Sequence, residues 1–362
     1  MASEGLHGGR PGRRFQAVRA PSVAVVGLGY WGPNVLRVLA ESAEVDVRWM
    51  CDVDPARLER LARRYPHVTP TEEIDDILDD PEVDGVVLAT PVFTHFDLAR
   101  RCLEAGKHTL VEKPLAASGV EAHALIALAA ERELALMCGH TFLYSPPVRA
   151  VRALISSGEL GDVYFVSSSR VNLGLHQRDI SVIWDLGPHD FSILMHWLGG
   201  PPATIRATGR DSIVPGIADV AFVTMEFPSG VIANVELSWL APSKLRRTVV
   251  VGSKKMVVYE DGAAEAIMIF DRGVVYKDPE TFGEYHLSYR TGDILSPQLP
   301  SDEPLALQAA DFVRMMRTGA APEHGLALAS DVVRLAEAAE TSLTQGGALI
   351  EVGAGQFAYA AG

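Results

Sequence analysis

The sequence predicts an α/β domain with a doubly wound parallel sheet, followed by an α+β domain with a large, mostly antiparallel sheet. In the first part, short β-rich runs alternate with amphipathic helical segments, which is typical of a parallel sheet. In the second part, strands follow one another through short turns with few helices between them, which favours antiparallel pairing. We expect the domains to cover residues 21–141 and 142–350, after a disordered leader at residues 1–20.

Composition restricts the class of protein. The chain has 362 residues, of which 48% are hydrophobic and 22% charged, so it can form two domains with their own cores. Its formal net charge is −14, and the expected folded part has no basic cluster, which argues against nucleic-acid and anionic-membrane partners. No apolar run approaches the roughly 20 residues that span a bilayer.

The cysteines and the leader indicate a cytoplasmic protein. The first twenty residues contain arginines, glycines and a proline but no apolar segment of a secretory signal. Cys51, Cys102 and Cys138 are odd in number, far apart and flanked by apolar residues. They fit buried, reduced thiols better than a disulfide or zinc framework.

The first strand leads into a glycine-rich turn, "VVGLGYWG", that indicates a dinucleotide site. Gly27, Gly29 and Gly32 have the spacing G-x-G-x-x-G between a β-rich run and a helix. The first glycine allows the tight turn, the second allows the pyrophosphate to approach, and the third allows close packing of helix and strand. Asp52 ends the next strand, where a carboxylate accepts from ribose hydroxyls and repels a 2′-phosphate, so NAD is favoured over NADP. Arg57, five residues after Asp52, could weaken that preference, although a place on a solvated helix face is the simpler explanation of this residue.

Six further segments complete the first domain. They alternate between helix and strand: "EEIDDILDD", "VDGVVLATP", "THFDLARRCLEAG", "HTLVEKP", the helix "SGVEAHALIALAAERE" and the strand "LALMCGH". Ligands of doubly wound sheets bind at the carboxyl ends of the strands. Beyond the glycines and Asp52, that edge holds Thr90-Pro91, Glu112-Lys113-Pro114 and His140. A lysine after a strand is usually a surface residue, but Lys113 lies at this edge.

In the second domain, "VIANVELSWL" alternates: one side carries Val231, Ala233, Val235, Leu237 and Trp239, and the other includes Asn234, Glu236 and Ser238. "ADVAFVTMEF" is expected to pair with it through the turn "PSG", and "RRTVVVG" and "KKMVVYEDG" are expected to be further strands. The tail at residues 304–345 reads as two amphipathic helices that we expect to pack back toward the first domain.

The segment "WDLGPHD" at residues 184–190 contains an aspartate and a histidine four residues apart. Since proline fits the first position of a helix, a helix is predicted to start at Pro188 with Gly187 as its cap. His189 would lie in its first turn, where the helix dipole favours a neutral ring. Asp185 could orient that ring or a nearby lysine. A capped helix with two satisfied polar groups explains the same seven residues.

Taken together, these motifs resemble the glucose-fructose oxidoreductase / inositol dehydrogenase / rhizopine catabolism family over residues 21–350. The family order is the glycine motif with Asp52, then Glu112-Lys113-Pro114, then Asp185-x-x-x-His189, then two C-terminal helices. The resemblance implies a Rossmann domain, a substrate domain and assembly as a homodimer or homotetramer. It also implies that His189 removes a hydroxyl proton while Lys113 polarises the oxygen and Asp185 orients the group.

The resemblance further implies contacts to cofactor and substrate. Those to NAD are Gly27, Gly29, Tyr30, Trp31, Gly32, Asp52, Thr90, Pro91, His95, Glu112 and Lys113. Those to substrate are Tyr144, Arg170, Asn172, Gln177 and Arg178. No metal is expected, because the histidines form no close-spaced ligand motif.

The segments "GHTFLYSPPV" and "RVNLGLHQRDISVIWDLGPHD" resemble the branch of this family that oxidises nucleotide-linked amino sugars or hexuronates at C3. The resemblance therefore implies a sugar or sugar-nucleotide substrate. Three alternatives stay open: a dehydrogenase of a cyclitol, free sugar or aminoglycoside; a ketosugar reductase; and a nucleotide-sensing regulator, since a fold alone does not give a function.

Overall fold

A computed structural model of the chain describes residues 19–174, 176–177, 180–276 and 287–353. The predicted leader therefore lies almost entirely outside the described residues. Within them, none of the helices is long and apolar enough to cross a membrane. The three cysteines are free and buried, as predicted.

The first domain contains a parallel sheet that has six strands among the described residues, in the order β3-β2-β1-β4-β5-β6. The strands are β1 (Ser22–Val26), β2 (Asp46–Cys51), β3 (Thr69–Thr71), β4 (Gly85–Leu88), β5 (His108–Glu112) and β6 (Leu136–Gly139). The helices between them are α1 (Gly32–Glu41), α2 (Pro55–Ala62), α3 (Ile74–Leu78), α4 (Val92–Glu104) and α5 (Gly119–Glu131). The doubly wound prediction is confirmed, although the three-residue β3 was not predicted.

The second domain begins with a 3-10 turn (Thr141–Tyr144) and contains a sheet of nine described strands in the order β14-β13-β12-β11-β7-β10-β9-β8-β15. Its strands are β7 (Val163–Leu173), β8 (Thr204–Arg210), β9 (Val220–Glu226), β10 (Ile232–Ser238), β11 (Leu240–Gly252), β12 (Met256–Glu260), β13 (Ile267–Tyr276), β14 (Leu287–Leu295) and β15 (Ile350–Glu351). Its helices are α6 (Pro146–Ser156), α7 (Val182–Leu198), α8 (Pro304–Thr318) and α9 (Leu326–Thr344). Among the described strands of this second sheet, only β7 and β10 pair in parallel. The prediction of a mostly antiparallel sheet is therefore confirmed.

One face of this sheet is buried under helices and the other is open. On β10, Ala233, Val235 and Leu237 are fully buried against the helix layer, as the alternation predicted. On the opposite face, Phe165 of β7 and Ile232 of β10 are register partners and are both about half exposed. The sheet therefore presents an apolar surface on its open side.

The last two helices contact both halves of the chain. Phe312 of α8 is buried with Leu36 of α1 in the core of the first domain. Val333 of α9 lies in a second core cluster of that domain, whereas Val332 next to it lies in the core of the second. Burial on both sides of α9 holds the two halves against each other.

Candidate active site

The glycine-rich loop follows β1 at the carboxyl edge of the parallel sheet. Gly27 has φ of +89°, and a Cβ there would lie 2.5 Å from the Ala89 carbonyl oxygen. A Cβ on Gly32 would lie 1.8 Å from the Gly27 oxygen. A Cβ on Gly29 would meet only Arg57 Nη1, at 3.7 Å. The outer two glycines are thus required by packing, whereas the middle one leaves open space where a ligand can approach.

Asp52 closes this loop from the end of β2. Its carboxylate accepts from the backbone N–H of Leu28 at 2.6 Å and from that of Asp54 at 2.9 Å. Arg57 Nη1 lies 3.4 Å from it. Asp52 is only 5% exposed, so it shapes the loop as well as standing where the ribose was predicted to bind.

His95 bridges the loops that follow β4 and β5. Its ring nitrogens lie 2.9 Å from the Thr90 carbonyl oxygen and 2.8 Å from that of Pro114. His95 is 1% exposed, and burial lowers its pKa. It therefore positions the two loops of the predicted cofactor site from behind, while Pro91 is exposed beside it.

The glycine-rich loop also contacts the end of β5. The Trp31 indole donates to Glu112 Oε1 at 2.9 Å, while the neighbouring Tyr30 ring is exposed. Burial raises the pKa of Glu112 to about 7, against the opposing effect of Lys113. This carboxyl group can consequently change charge near neutral pH.

Helix α7 does not begin where the sequence indicated. It starts at Val182 with Ser181 as N-cap, so Pro188 lies inside it and His189 near its middle. Val182 and Ile183 are fully buried, and packing of this first turn outweighs the hydrogen bond that proline removes. The predicted cap at Gly187 is therefore wrong, and the helix dipole is not what keeps His189 neutral.

The extended helix brings the predicted acid–base residues together. Asp185 and His189 are one turn apart and share a face of α7. Lys113 Nζ, from the end of β5, donates to the Asp185 carbonyl oxygen at 2.8 Å and lies 3.6 Å from Asp185 Oδ1. The contact joins the first domain to the second.

His189 is half-buried, and its surroundings favour the neutral form of its ring. Burial lowers its pKa well below 6.5, and the positive charges of Lys113, Arg170 and Arg246 lower it further. Its ring packs edge-on against Phe142, with centroids 4.9 Å apart. No described residue donates a hydrogen bond to its imidazole, so a nitrogen remains available for a proton.

Arg170 is buried behind His189 and is not at the surface of the site. It is 4% exposed, its Nε pairs with Asp190, and Asp190 also accepts from Ser168 Oγ at 2.7 Å. The Arg170 guanidinium lies over the Phe142 ring, 4.7 Å from the centroid, and its buried Nη1 has no partner among the described residues.

The other predicted substrate residues have different surroundings. Asn172 is half-buried, and its Oδ1 has no described partner; Gln177 is half-buried as well. Tyr144 is 1% exposed and donates to Asp311 Oδ2 at 2.7 Å, so a core contact accounts for it. Arg178 lies outside the described residues.

Three residues of the site were not predicted. Trp239, at the end of β10, donates from its indole to Asp185 Oδ2 at 3.0 Å. Asp190 pairs with Arg170, and His140 is 3% exposed with both ring nitrogens unpartnered among the described residues. Only His140 carried a signal, its place at the strand edge. Among the residues described, no group of three or more His, Cys, Asp or Glu side chains could hold a metal ion.

Comparisons with known sequences agree with this geometry. Residues 22–140 match the model of an oxidoreductase family with an NAD-binding Rossmann fold, and residues 148–258 match the GFO/IDH/MocA C-terminal domain. A UDP-N-acetylglucosamine 3-dehydrogenase of Acidithiobacillus ferrooxidans is 34% identical over 166 residues, which are 46% of this chain and 52% of that protein. The chain thus spans about half the length of this relative. A scyllo-inositol 2-dehydrogenase (NAD(+)) of Bacillus subtilis is 28% identical over 60% of this chain and 67% of its own length.

Solved structures are similar over nearly the whole chain. GenD2 from gentamicin A biosynthesis, in complex with NAD, has a TM-score of 0.79 at 27% identity, covering 98% of this chain and 100% of its own. The structure of the Acidithiobacillus ferrooxidans 3-dehydrogenase has a TM-score of 0.74 at 25% identity, covering 90% and 98%. The chain therefore belongs to the glucose-fructose oxidoreductase / inositol dehydrogenase / rhizopine catabolism family of oxidoreductases, with an NAD-binding Rossmann domain at residues 22–140.

Proposed function

We propose that this protein is an NAD-dependent dehydrogenase that oxidises a secondary hydroxyl of a sugar to a ketone. The observation that carries the proposal is the contact of Lys113 with α7 at the ligand-binding edge of the sheet, one turn from His189. A regulator that only senses a nucleotide has no need of a neutral base beside an ammonium group.

The residues around the glycine-rich loop fit a dinucleotide. The open space at Gly29 lies beside the start of α1, where backbone N–H groups favour a pyrophosphate. NAD, when bound, accepts the hydride from the carbon that carries the hydroxyl. Asp52 supports NAD over NADP because its buried carboxylate would oppose a 2′-phosphate.

The protein's own side chains handle the proton. His189 is neutral at pH 7 and takes the hydroxyl proton, a contribution of roughly 10²–10⁴-fold for a positioned base. The ammonium of Lys113 stabilises the negative charge that develops on the same oxygen. Asp185 balances the lysine charge before the substrate arrives.

For the substrate, we propose C3 of a nucleotide-linked amino sugar or hexuronate. Similarity to the 3-dehydrogenase supports this choice. Asn172 and Gln177 are the proposed contacts, and Asn172 carries a buried polar atom, Oδ1, without a described partner, as Arg170 does at Nη1. Such atoms are costly unless a ligand or water pairs with them.

An aminoglycoside hydroxyl is a second candidate. The likeness to GenD2 covers essentially both chains, whereas the sequence match to the 3-dehydrogenase covers about half of that protein. The positive side chains near His189 are paired: Lys113 with Asp185 and Arg170 with Asp190. Paired cations oppose a cationic substrate less than free ones would.

We also propose that the chain forms a homodimer or homotetramer through the open face of the large sheet. Phe165, Phe222 and Ile232 are each about half exposed there, on neighbouring strands. Apolar patches of this kind mark protein contacts in many soluble proteins. Sedimentation of Phe222→Lys and Ile232→Lys variants tests this, since a monomer is expected.

Absorbance of reduced nicotinamide tests the activity. Purified protein receives NAD or NADP with UDP-N-acetylhexosamines, UDP-hexuronates, inositols or aminoglycosides, and we expect turnover with NAD and a member of the first two classes. His189→Asn should abolish turnover and retain NAD binding, whereas His196→Asn, the same substitution two turns along α7, should retain both. NAD binding without turnover in either direction would favour the regulator.

A further inference from the structure

The two oxygens of the Asp185 carboxylate have different partners. Oδ2 accepts from the Trp239 indole at 3.0 Å, and Oδ1 lies 3.6 Å from Lys113 Nζ. The Asp185 side chain is 25% exposed, whereas Trp239 is 1% exposed. A buried donor from the sheet thus holds one side of a carboxylate that otherwise faces the open part of the site.

Trp239 is itself fixed by the backbone on both sides. The backbone N–H of Trp239 donates to the Asp219 carbonyl oxygen at 2.9 Å, and the Trp239 carbonyl oxygen accepts from the backbone N–H of Gly174 at 3.1 Å. The His176 ring lies against its indole, with centroids 5.3 Å apart. The indole donor is therefore held in place independently of α7, which carries Asp185.

This arrangement controls what Lys113 can do. An ammonium group has three donors, and one of them already bonds the Asp185 carbonyl oxygen at 2.8 Å. At 3.6 Å, the carboxylate attracts the ammonium without taking a hydrogen bond from it. Without the indole, the carboxylate could turn toward Lys113 and accept a donor that a substrate oxygen needs.

We propose that Trp239 is a positioning residue that holds the Asp185 carboxylate so that Lys113 keeps a donor free for the substrate oxygen. The inference rests on the proposed dehydrogenase function. It assigns a role to Trp239, which is 54 positions from Asp185 in the chain. This residue comes from the large sheet, whereas Asp185 lies on α7 and Lys113 follows β5.

The kinetic test compares two tryptophan variants. Trp239→Phe removes the indole donor and keeps an aromatic ring. Trp49→Phe is the matched control, because it removes an indole bond to a carboxylate outside the site, from Trp49 to Asp80 Oδ2 at 2.8 Å. We expect kcat to fall about 10- to 100-fold in Trp239→Phe, as for one bond to a charged group, with KM for NAD unchanged. In Trp49→Phe, kcat should stay within about twofold of the unaltered enzyme.

A spectroscopic test does not depend on turnover or on the stability of Trp239→Phe. In ¹⁵N-labelled protein, we expect Asp185→Asn to shift the indole N–H resonance of Trp239 and to leave that of Trp49 in place. An unmoved Trp239 resonance overturns the contact. Turnover at equal rates in the two tryptophan variants overturns the positioning role alone, whereas absence of turnover in the unaltered enzyme overturns the proposed function.

Discussion

Replacement of Gly29 by alanine tests whether the open space over the glycine-rich loop receives the pyrophosphate. The new Cβ would have only Arg57 Nη1 near it, at 3.7 Å, which is ordinary van der Waals contact. We therefore expect the free energy of unfolding to change by no more than about 0.5 kcal/mol. In the same space a Cβ would keep a phosphate oxygen from the backbone N–H groups.

The expected loss of NAD affinity follows from one such hydrogen bond. A bond to a charged group contributes about 1.5–3 kcal/mol, so the Kd for NAD should rise about 10- to 100-fold. Calorimetric titration with NAD gives the Kd, and thermal melting without NAD gives the stability.

Two matched glycine variants make the result specific. Gly32→Ala places its Cβ 1.8 Å from the Gly27 oxygen and should destabilise the fold itself. Gly325→Ala, at the N-cap of α9 with open space around it, should leave the Kd for NAD unchanged and cost no more than about 1 kcal/mol of stability. Unchanged NAD affinity in Gly29→Ala, with stability intact, would refute the placement of the pyrophosphate.

Two further predictions concern charge. Because the pKa of His189 is well below 6.5, the ring stays neutral as pH falls through that value, and kcat/KM should decline only at lower pH. Burial raises the pKa of Glu112 to about 7, so the pH profile is best measured in Glu112→Gln, which lacks this titration. A decline of kcat/KM centred at pH 6.5 or above in that variant would contradict a neutral His189. Arg170→Met leaves the Asp190 carboxylate buried without its partner and should destabilise the protein by about 3–5 kcal/mol in urea unfolding. Arg246→Met removes a partly exposed ion pair with Asp261 and should cost no more than about 1 kcal/mol, so equal losses in the two variants would contradict the argument.

Local patterns were sufficient to predict that the residues proposed to bind the cofactor lie at one edge of the parallel sheet. The glycine spacing, Asp52 and the Glu112-Lys113 pair each follow a strand, and parallel strands bring their carboxyl ends to one edge. Their relative placement is therefore encoded by sequence order and strand direction, which a single sequence displays.

The substrate half depends on contacts that no local pattern displays. Pro188 predicted a helix start, but α7 begins six residues earlier, at the buried Val182. The bond from Trp239 to Asp185 depends on how β10 packs beneath α7, and the Arg170–Asp190 pair depends on the alignment of α7 with β7. Tertiary packing set these positions, and local propensity misplaced one of them.

The proposed acid–base group lies where the two halves of the chain meet. Lys113 comes from the first domain and His189 from the second, and the bond from Lys113 to the Asp185 carbonyl oxygen crosses between them. α8 and α9 return from the second domain to bury Phe312 and Val333 in the cores of the first. Because this burial holds the two halves together, we expect the cavity left by Phe312→Ala to lower both the free energy of unfolding in urea and kcat. An unchanged kcat in a destabilised Phe312→Ala variant would contradict this coupling.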